Sequence, residues 1–335
     1  MSRAARAARV VCAGALFVGL AGACSSNSRT VTPPSNTTDT SSSVASSGTP
    51  GASSTTATTA ATSGSHCTPG AAYPAGTTQH TMRVHGVTRE LLVHMPPRLD
   101  RRTMLIVDFH GATSTMQQQD VYSGFDARAD TDGFVVATPN GTVIGGVRQW
   151  NFLGAPDVDF AIALVRQLVA GACVAPGHVF ATGISSGGAM TAALACRASN
   201  TFDGFAPVSA NFYIPAICDH AAQRPYLIFH GTADPVVPYY GGKVTTNRDG
   251  LAVGGAEDNA AKWAKHNGCG AGRITTTLSS EVVRFTWPDC AAPVIMYKIV
   301  GGGHTWPGAA ISVPLGKTTH QISATDQIIK LFSAA

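Results

Sequence analysis

A Gly-x-Ser-x-Gly run, Gly183-Ile184-Ser185-Ser186-Gly187, stands between an apolar stretch, His178 to Thr182, and a stretch of small residues, Gly187 to Cys196. A serine hydroxyl attacks an acyl carbon once a base takes its proton. It must also be lifted clear of its element, as happens at a strand-to-helix turn too tight for flanking side chains. The pattern alone is weak, because it recurs by chance in a chain with 36 glycines. Two other segments supply the partners. Asp234, in His230-Gly231-Thr232-Ala233-Asp234-Pro235, follows the apolar run Tyr226 to Phe229. His304, in Gly301-Gly302-Gly303-His304, follows the run Val294 to Val300. An imidazole titrates near neutrality and serves first as base, then as acid. A carboxylate orients it and stabilises its charged form. Singly, Asp234 reads as an Asp-Pro turn and His304 as a loop histidine. In the order Ser, Asp, His, each past a strand, they form one specific set. The chemistry is acyl transfer through a covalent serine intermediate. Its oxyanion would be held by the N–H groups of Ser186 and of Ala112 in the loop His110-Gly111-Ala112-Thr113.

These residues need a frame. Met104 to Phe109 and Phe134 to Thr138 are nearly continuous apolar runs, as in strands covered on both faces. Thr81 to Val84 and Glu90 to Met95 flank the turn His85-Gly86, and Gly204 to Val208 is a further short strand. Asp159 to Ala170 and Ala324 to Phe332 have helical spacing. Strands alternating with helices give an α/β class: a mostly parallel sheet with helices on both faces, its functional residues past the carboxyl ends of strands.

The motifs Phe109-His110-Gly111, Gly183 to Gly188, His230 to Pro238 and Gly301 to Gly308 resemble the α/β-hydrolase family that includes polyhydroxybutyrate depolymerases and feruloyl esterases. The resemblance spans residues 67–335. It implies an exported carboxylic-ester hydrolase, a serine esterase with Ser185, Asp234 and His304 as its triad. Ser186 stands where the family commonly has Asn. Trp150, Trp306 and Tyr239 are the aromatics expected near substrate, suited to stacking a hydroxycinnamoyl-type acid. A short-chain polyhydroxyalkanoate depolymerase is the alternative activity. A non-catalytic surface-binding lipoprotein is the alternative from another class. No metal or phosphate motif is present, so neither metal nor cofactor is expected.

Arg3, Arg6 and Arg9 precede Val10 to Leu20, an apolar run of 11 residues, too short to span a bilayer. Leu20-Ala21-Gly22-Ala23-Cys24 resembles a bacterial lipobox, with Ala21 where Leu is usual, and places the chain near actinobacterial lipoprotein esterases. Residues 1–24 are therefore expected to be a signal peptide ending in a lipidated Cys24. Residues 25–66, rich in Ser and Thr, make a disordered tether. Residues 67–335 form the catalytic domain. The protein is expected to be exported, a monomer anchored on the outer face of the cell membrane or released outside. Removing the three arginines takes the net charge from +4 to +1, which leaves no electrostatic footprint for nucleic acid.

Six cysteines remain in the domain, and six allow 15 pairings. Position favours Cys269–Cys290, which would hold the Asp234 and His304 loops in register. Cys196–Cys218 comes next, behind the nucleophile, and then Cys67–Cys173.

Overall fold

Two strands, β1 (Gly76–Val84) and β2 (Val87–Met95), pair antiparallel with Val84 opposite Val87. His85 and Gly86 between them have φ of 49° and 80°, the doubly left-handed turn that matches strand twist. The structure, a computed structural model, describes residues 70–99, 103–245 and 251–335. The signal segment with Cys24, the tether and Cys67 lie outside the described residues, and with Cys67 the expected Cys67–Cys173 bridge.

The chain continues through β3 (Leu105–Phe109), α1 (Met116–Ser123), α2 (Phe125–Asp132), β4 (Val135–Pro139) and a hairpin of β5 (Thr142–Ile144) and β6 (Val147–Gln149). Next come α3 (Ala155–Gly171), β7 (Val179–Ile184), α4 (Ser186–Arg197), β8 (Gly204–Val208), α5 (Pro215–Cys218) and β9 (Tyr226–Gly231). A small hairpin of β10 (Gly242–Lys243) and β11 (Ala252–Val253) precedes α6 (Ala256–His266), β12 (Ile274–Thr277), β13 (Val282–Thr286), β14 (Val294–Ile299) and α7 (Ala324–Phe332).

Ten strands form one sheet in the order β1-β2-β4-β3-β7-β8-β9-β14-β13-β12. The run from β4 to β14 is parallel, and an antiparallel pair closes each edge. Every residue of β3, β4, β7, β8 and β9 is buried, as their unbroken apolar runs require. Alternation along a strand separates two cores. Leu105, Val107 and Ala181 pack on the side of α3, α4 and α6, whereas Ile106 and Phe180 pack on the side of α2 and α7. This is the α/β-hydrolase arrangement, a mostly parallel sheet covered on both faces.

Two of the expected bridges are present. Cys196–Cys218 ties the end of α4 to α5, and Cys269–Cys290 joins the chain after α6 to the chain before β14. The second does not hold the Asp234 and His304 loops. Cys290 precedes the amino end of β14, while His304 follows its carboxyl end.

Candidate active site

Ser185 occupies the single residue between β7 and α4, with φ 58° and ψ −117°. A non-glycine residue there stores on the order of 1–3 kcal/mol of strain, which the surrounding structure must offset. Its N–H donates to the Val208 carbonyl at 3.0 Å, and its carbonyl accepts from Ala189 N–H at 2.8 Å. The two glycines are sterically required. A Cβ on Gly183 would lie 2.5 Å from the Phe109 carbonyl oxygen, and one on Gly187 only 1.9 Å from it. The end of β3 therefore sits directly against the turn.

The loops after β9 and β14 meet backbone to backbone. Ala233 N–H donates to Gly302 O at 2.9 Å, and Thr232 N–H to Ile299 O at 2.9 Å. A Cβ on Gly231 would come within 2.3 Å of Gly302 O, so only glycine admits this approach. The contact brings His304 Nδ1 to 2.8 Å from Asp234 Oδ2. Both side chains are almost fully buried. Asp234 Oδ1 accepts from the N–H groups of Val236 and Val237, each at 2.8 Å. Burial alone would raise the Asp234 carboxyl, but hydrogen bonds from His230 and His304 outweigh it and hold the group well below the usual carboxylate range. An ionised carboxylate only accepts, so His304 carries its proton on Nδ1 and keeps the Nε2 lone pair free. That is the tautomer a general base needs.

His230, whose place in the motif was the available signal, is a second partner of Asp234. Its Nε2 stands 2.9 Å from Val237 O and 3.4 Å from Asp234 Oδ2. Its Nδ1 is 3.0 Å from Asn211 Oδ1, and the Asn211 amide nitrogen donates in turn to Gly254 O.

The loop after β3 closes over Ser185. A Cβ on Gly111 would stand 3.6 Å from Ser185 Cβ. His110 is fully buried and fixes this loop. Its Nδ1 donates to Gly111 O at 2.7 Å, while Nε2 accepts from Gly141 N–H at 2.9 Å. Burial pushes this imidazole down to about 4, so it stays neutral near pH 7. Thr113, with φ 68°, donates its N–H to Arg148 O at 2.8 Å.

The three aromatics expected at the substrate are placed elsewhere. Trp150 is 2% exposed; its Nε1 donates to His110 O at 2.9 Å and its backbone N–H to Ser186 Oγ at 3.2 Å. It braces the His110 loop against the nucleophile helix. Trp306 is fully buried, edge-on to Phe125, with Nε1 donating to Thr325 Oγ1. Tyr239 is buried against His230 and donates its hydroxyl to Glu257. Each ring is buried within the protein and leaves no open face for a ligand to stack on.

Two cavities meet at Ser185. One, of about 270 Å³, is lined also by Ala112, Ser186, Phe152, Phe212 and Tyr213. The other, of about 720 Å³, is lined also by Ala112, His304, Tyr122 and residues 311 and 313–315. Phe152 lies two residues after Trp150; Phe212 and Tyr213, past β8, carry no motif. Among the described residues no group of three or more His, Cys, Asp or Glu could hold a metal ion.

No family profile matches the chain. It is 30% identical over 292 residues to "Putative esterase NocK" of Nocardia uniformis subsp. tsuyamanensis, covering 76% of this chain and 82% of that one. It is 30% identical over 276 residues to "Probable feruloyl esterase C" of Aspergillus clavatus, covering 78% and 90%. Among solved structures, an acetyl xylan esterase from Aspergillus awamori superposes with a TM-score of 0.57 at 17% identity, over 77% of this chain and all of that one.

Proposed function

The chain belongs to the feruloyl-esterase family of α/β-hydrolases and is a carboxylic-ester hydrolase, and we propose that Ser185, His304 and Asp234 are its catalytic triad. The observation that carries this reading is the 2.8 Å His304–Asp234 hydrogen bond beside a cavity that His304 shares with a strained Ser185.

In the proposed reaction, His304 Nε2 takes the hydroxyl proton as Ser185 Oγ bonds to the ester carbonyl carbon. The carbonyl oxygen becomes an oxyanion, held by the N–H groups of Ser186 and Ala112. The intermediate collapses, the C–O bond to the alcohol breaks, and His304 gives its proton to the departing oxygen. Water, deprotonated by His304, then attacks the acyl-enzyme. The acid leaves and Ser185 regains its proton. Asp234 stays ionised throughout.

The smaller cavity takes the acyl group in this reading. Phe152, Phe212 and Tyr213 on its wall support an aryl acid of the feruloyl type. We also propose export and attachment to the outer membrane face through a lipidated Cys24; the support is the Arg-rich start, the short apolar run and the Cys at its end.

The test is turnover of p-nitrophenyl esters of rising acyl length and of methyl ferulate by the wild type and Ser185→Ala. The reading expects hydrolysis by the first, none above background by the second, and equal melting temperatures. Turnover surviving in Ser185→Ala contradicts it.

A further inference from the structure

In ester hydrolysis the leaving alcohol must lie beside the acid that protonates it. With Ser185 as nucleophile and His304 as that acid, the acid faces the larger of the two cavities and not the smaller. We infer that the alcohol half of the substrate is apolar, an aliphatic alcohol of several carbons seated against Val121, Ile311, Val313, Pro314 and Leu315. The inference rests on the triad roles proposed above.

Three observations carry it. First, this cavity groups exposed apolar side chains. Val121 is 60% exposed, Ile311 45% and Leu315 38%, all on its lining. Exposed aliphatics scattered singly need no explanation, but a contiguous group around one cleft marks a surface that something apolar covers.

Second, most polar groups on the same wall already have partners. Thr113 Oγ1 donates to Ala112 O, and Ser114 Oγ donates to Gln118 Oε1 at 3.0 Å. Gln119 Nε2 donates to Asp108 Oδ1 at 2.8 Å, and the Tyr122 hydroxyl accepts from Trp306 N–H at 2.9 Å. Among the described residues the Gln117 side chain, the Gln118 amide nitrogen and the Tyr122 hydroxyl proton remain, on a wall otherwise made largely of aliphatic side chains, which favours an alkyl chain over the several hydroxyls of a sugar.

Third, the apolar wall is fixed to the acid's own loop. His304 N–H donates to Leu315 O at 2.8 Å, and Gly303 N–H to Lys317 O at 2.9 Å. A Cβ on Gly303 would stand 2.4 Å from Leu315 O, so the two segments touch along their backbones. The volumes agree in direction: about 720 Å³ on the alcohol side against about 270 Å³ on the acyl side.

The experiment measures kcat/KM for the methyl, propyl and hexyl esters of one aryl acid and for the arabinosyl ester of the same acid. Each buried methylene should raise kcat/KM roughly fourfold until the cavity is filled. The hexyl ester should also exceed the arabinosyl ester. Ile311→Ser and Leu315→Asn should each lower the hexyl-to-methyl ratio, together by on the order of tenfold. That ratio is internal to each variant, so a smaller folded fraction does not move it. A flat or falling alkyl series, or an arabinosyl ester ahead of the hexyl ester, overturns the inference and leaves the esterase reading standing. Absence of turnover on every ester refutes the esterase reading, and this inference with it.

Discussion

Asp234→Asn keeps the shape of the side chain and changes what it can accept. Four donors converge on the carboxylate: the N–H groups of Val236 and Val237 at 2.8 Å on Oδ1, His304 Nδ1 at 2.8 Å and His230 Nε2 at 3.4 Å on Oδ2. An asparagine offers one acceptor oxygen. The two backbone donors cannot turn away, so they hold that oxygen and leave the NH2 facing His304. His304 must then accept at Nδ1 and carry its proton on Nε2, the nitrogen that has to receive the Ser185 proton. The same tautomer fault in a serine triad costs about 10⁴ in kcat. At ~1.36 kcal/mol per factor of ten, that is ~5.5 kcal/mol of lost transition-state stabilisation. Asp234 is on neither cavity wall, so KM should change far less than kcat.

The assay is kcat and KM on a chromogenic acetate ester from pH 6 to 9, with thermal melts of both proteins. An Asn variant keeping more than a tenth of wild-type kcat refutes the argument. The melts add a pH test. The native Asp234 carboxyl lies below its ordinary 3.8, so its contribution to stability is fully present above that value and is lost as pH falls toward the lowered one. Below about pH 4 the wild type should lose stability faster than the Asn variant.

Asp108 behaves oppositely. It is fully buried, and burial outweighs the hydrogen bonds from Ser123 and Gln119 to raise the group from 3.8 to about 7. Its neutral form is favoured on folding, an advantage complete below 3.8 and lost as pH rises through about 7. Asp108→Asn should gain stability over the wild type across that interval, by up to about 4 kcal/mol at the alkaline end; a pH-independent difference in denaturant midpoints would argue otherwise. Replacing either bridge, Cys196–Cys218 or Cys269–Cys290, by an alanine pair should cost about 3 kcal/mol and lower Tm by roughly 5–10 °C in scanning calorimetry; unchanged Tm in both pairs contradicts this. Cys24→Ala should move the protein from the membrane fraction to the soluble one with kcat unchanged; a wild type that is already soluble and carries no lipid by mass spectrometry refutes the anchor.

The sheet was legible because its central strands are buried on both faces and read as unbroken apolar runs, as Leu105–Phe109 and Tyr226–Gly231 do. Elements without such a stripe were not. α1, Met116–Ser123, buries only Met116, Gln119 and Ser123, and α2, Phe125–Asp132, only Phe125 and Ala129. β12, Ile274–Thr277, is an edge strand with little buried surface to write a pattern.

At the site, Asp234 and His304 were marked by glycines and prolines whose backbone demands are local. The aromatics were misplaced because proximity in sequence says nothing about which way a ring points. Trp306 lies two residues from His304, yet its indole turns into the core toward Phe125 and Thr325. Phe212 and Tyr213 reach a cavity through the path of the chain after β8, which no short motif records. His110 is neutral and fixed by two backbone partners, and only the folded loop reveals that role.

The most direct test of the triad is covalent. A fluorophosphonate probe forms a bond with a serine only when that serine is activated as a nucleophile. Incubation of the wild type, followed by peptide mapping in a mass spectrometer, should find a single adduct on Ser185. Labelling should be lost in Ser185→Ala and strongly slowed in His304→Ala. An adduct on another serine, or an unlabelled protein that still hydrolyses esters, contradicts the account.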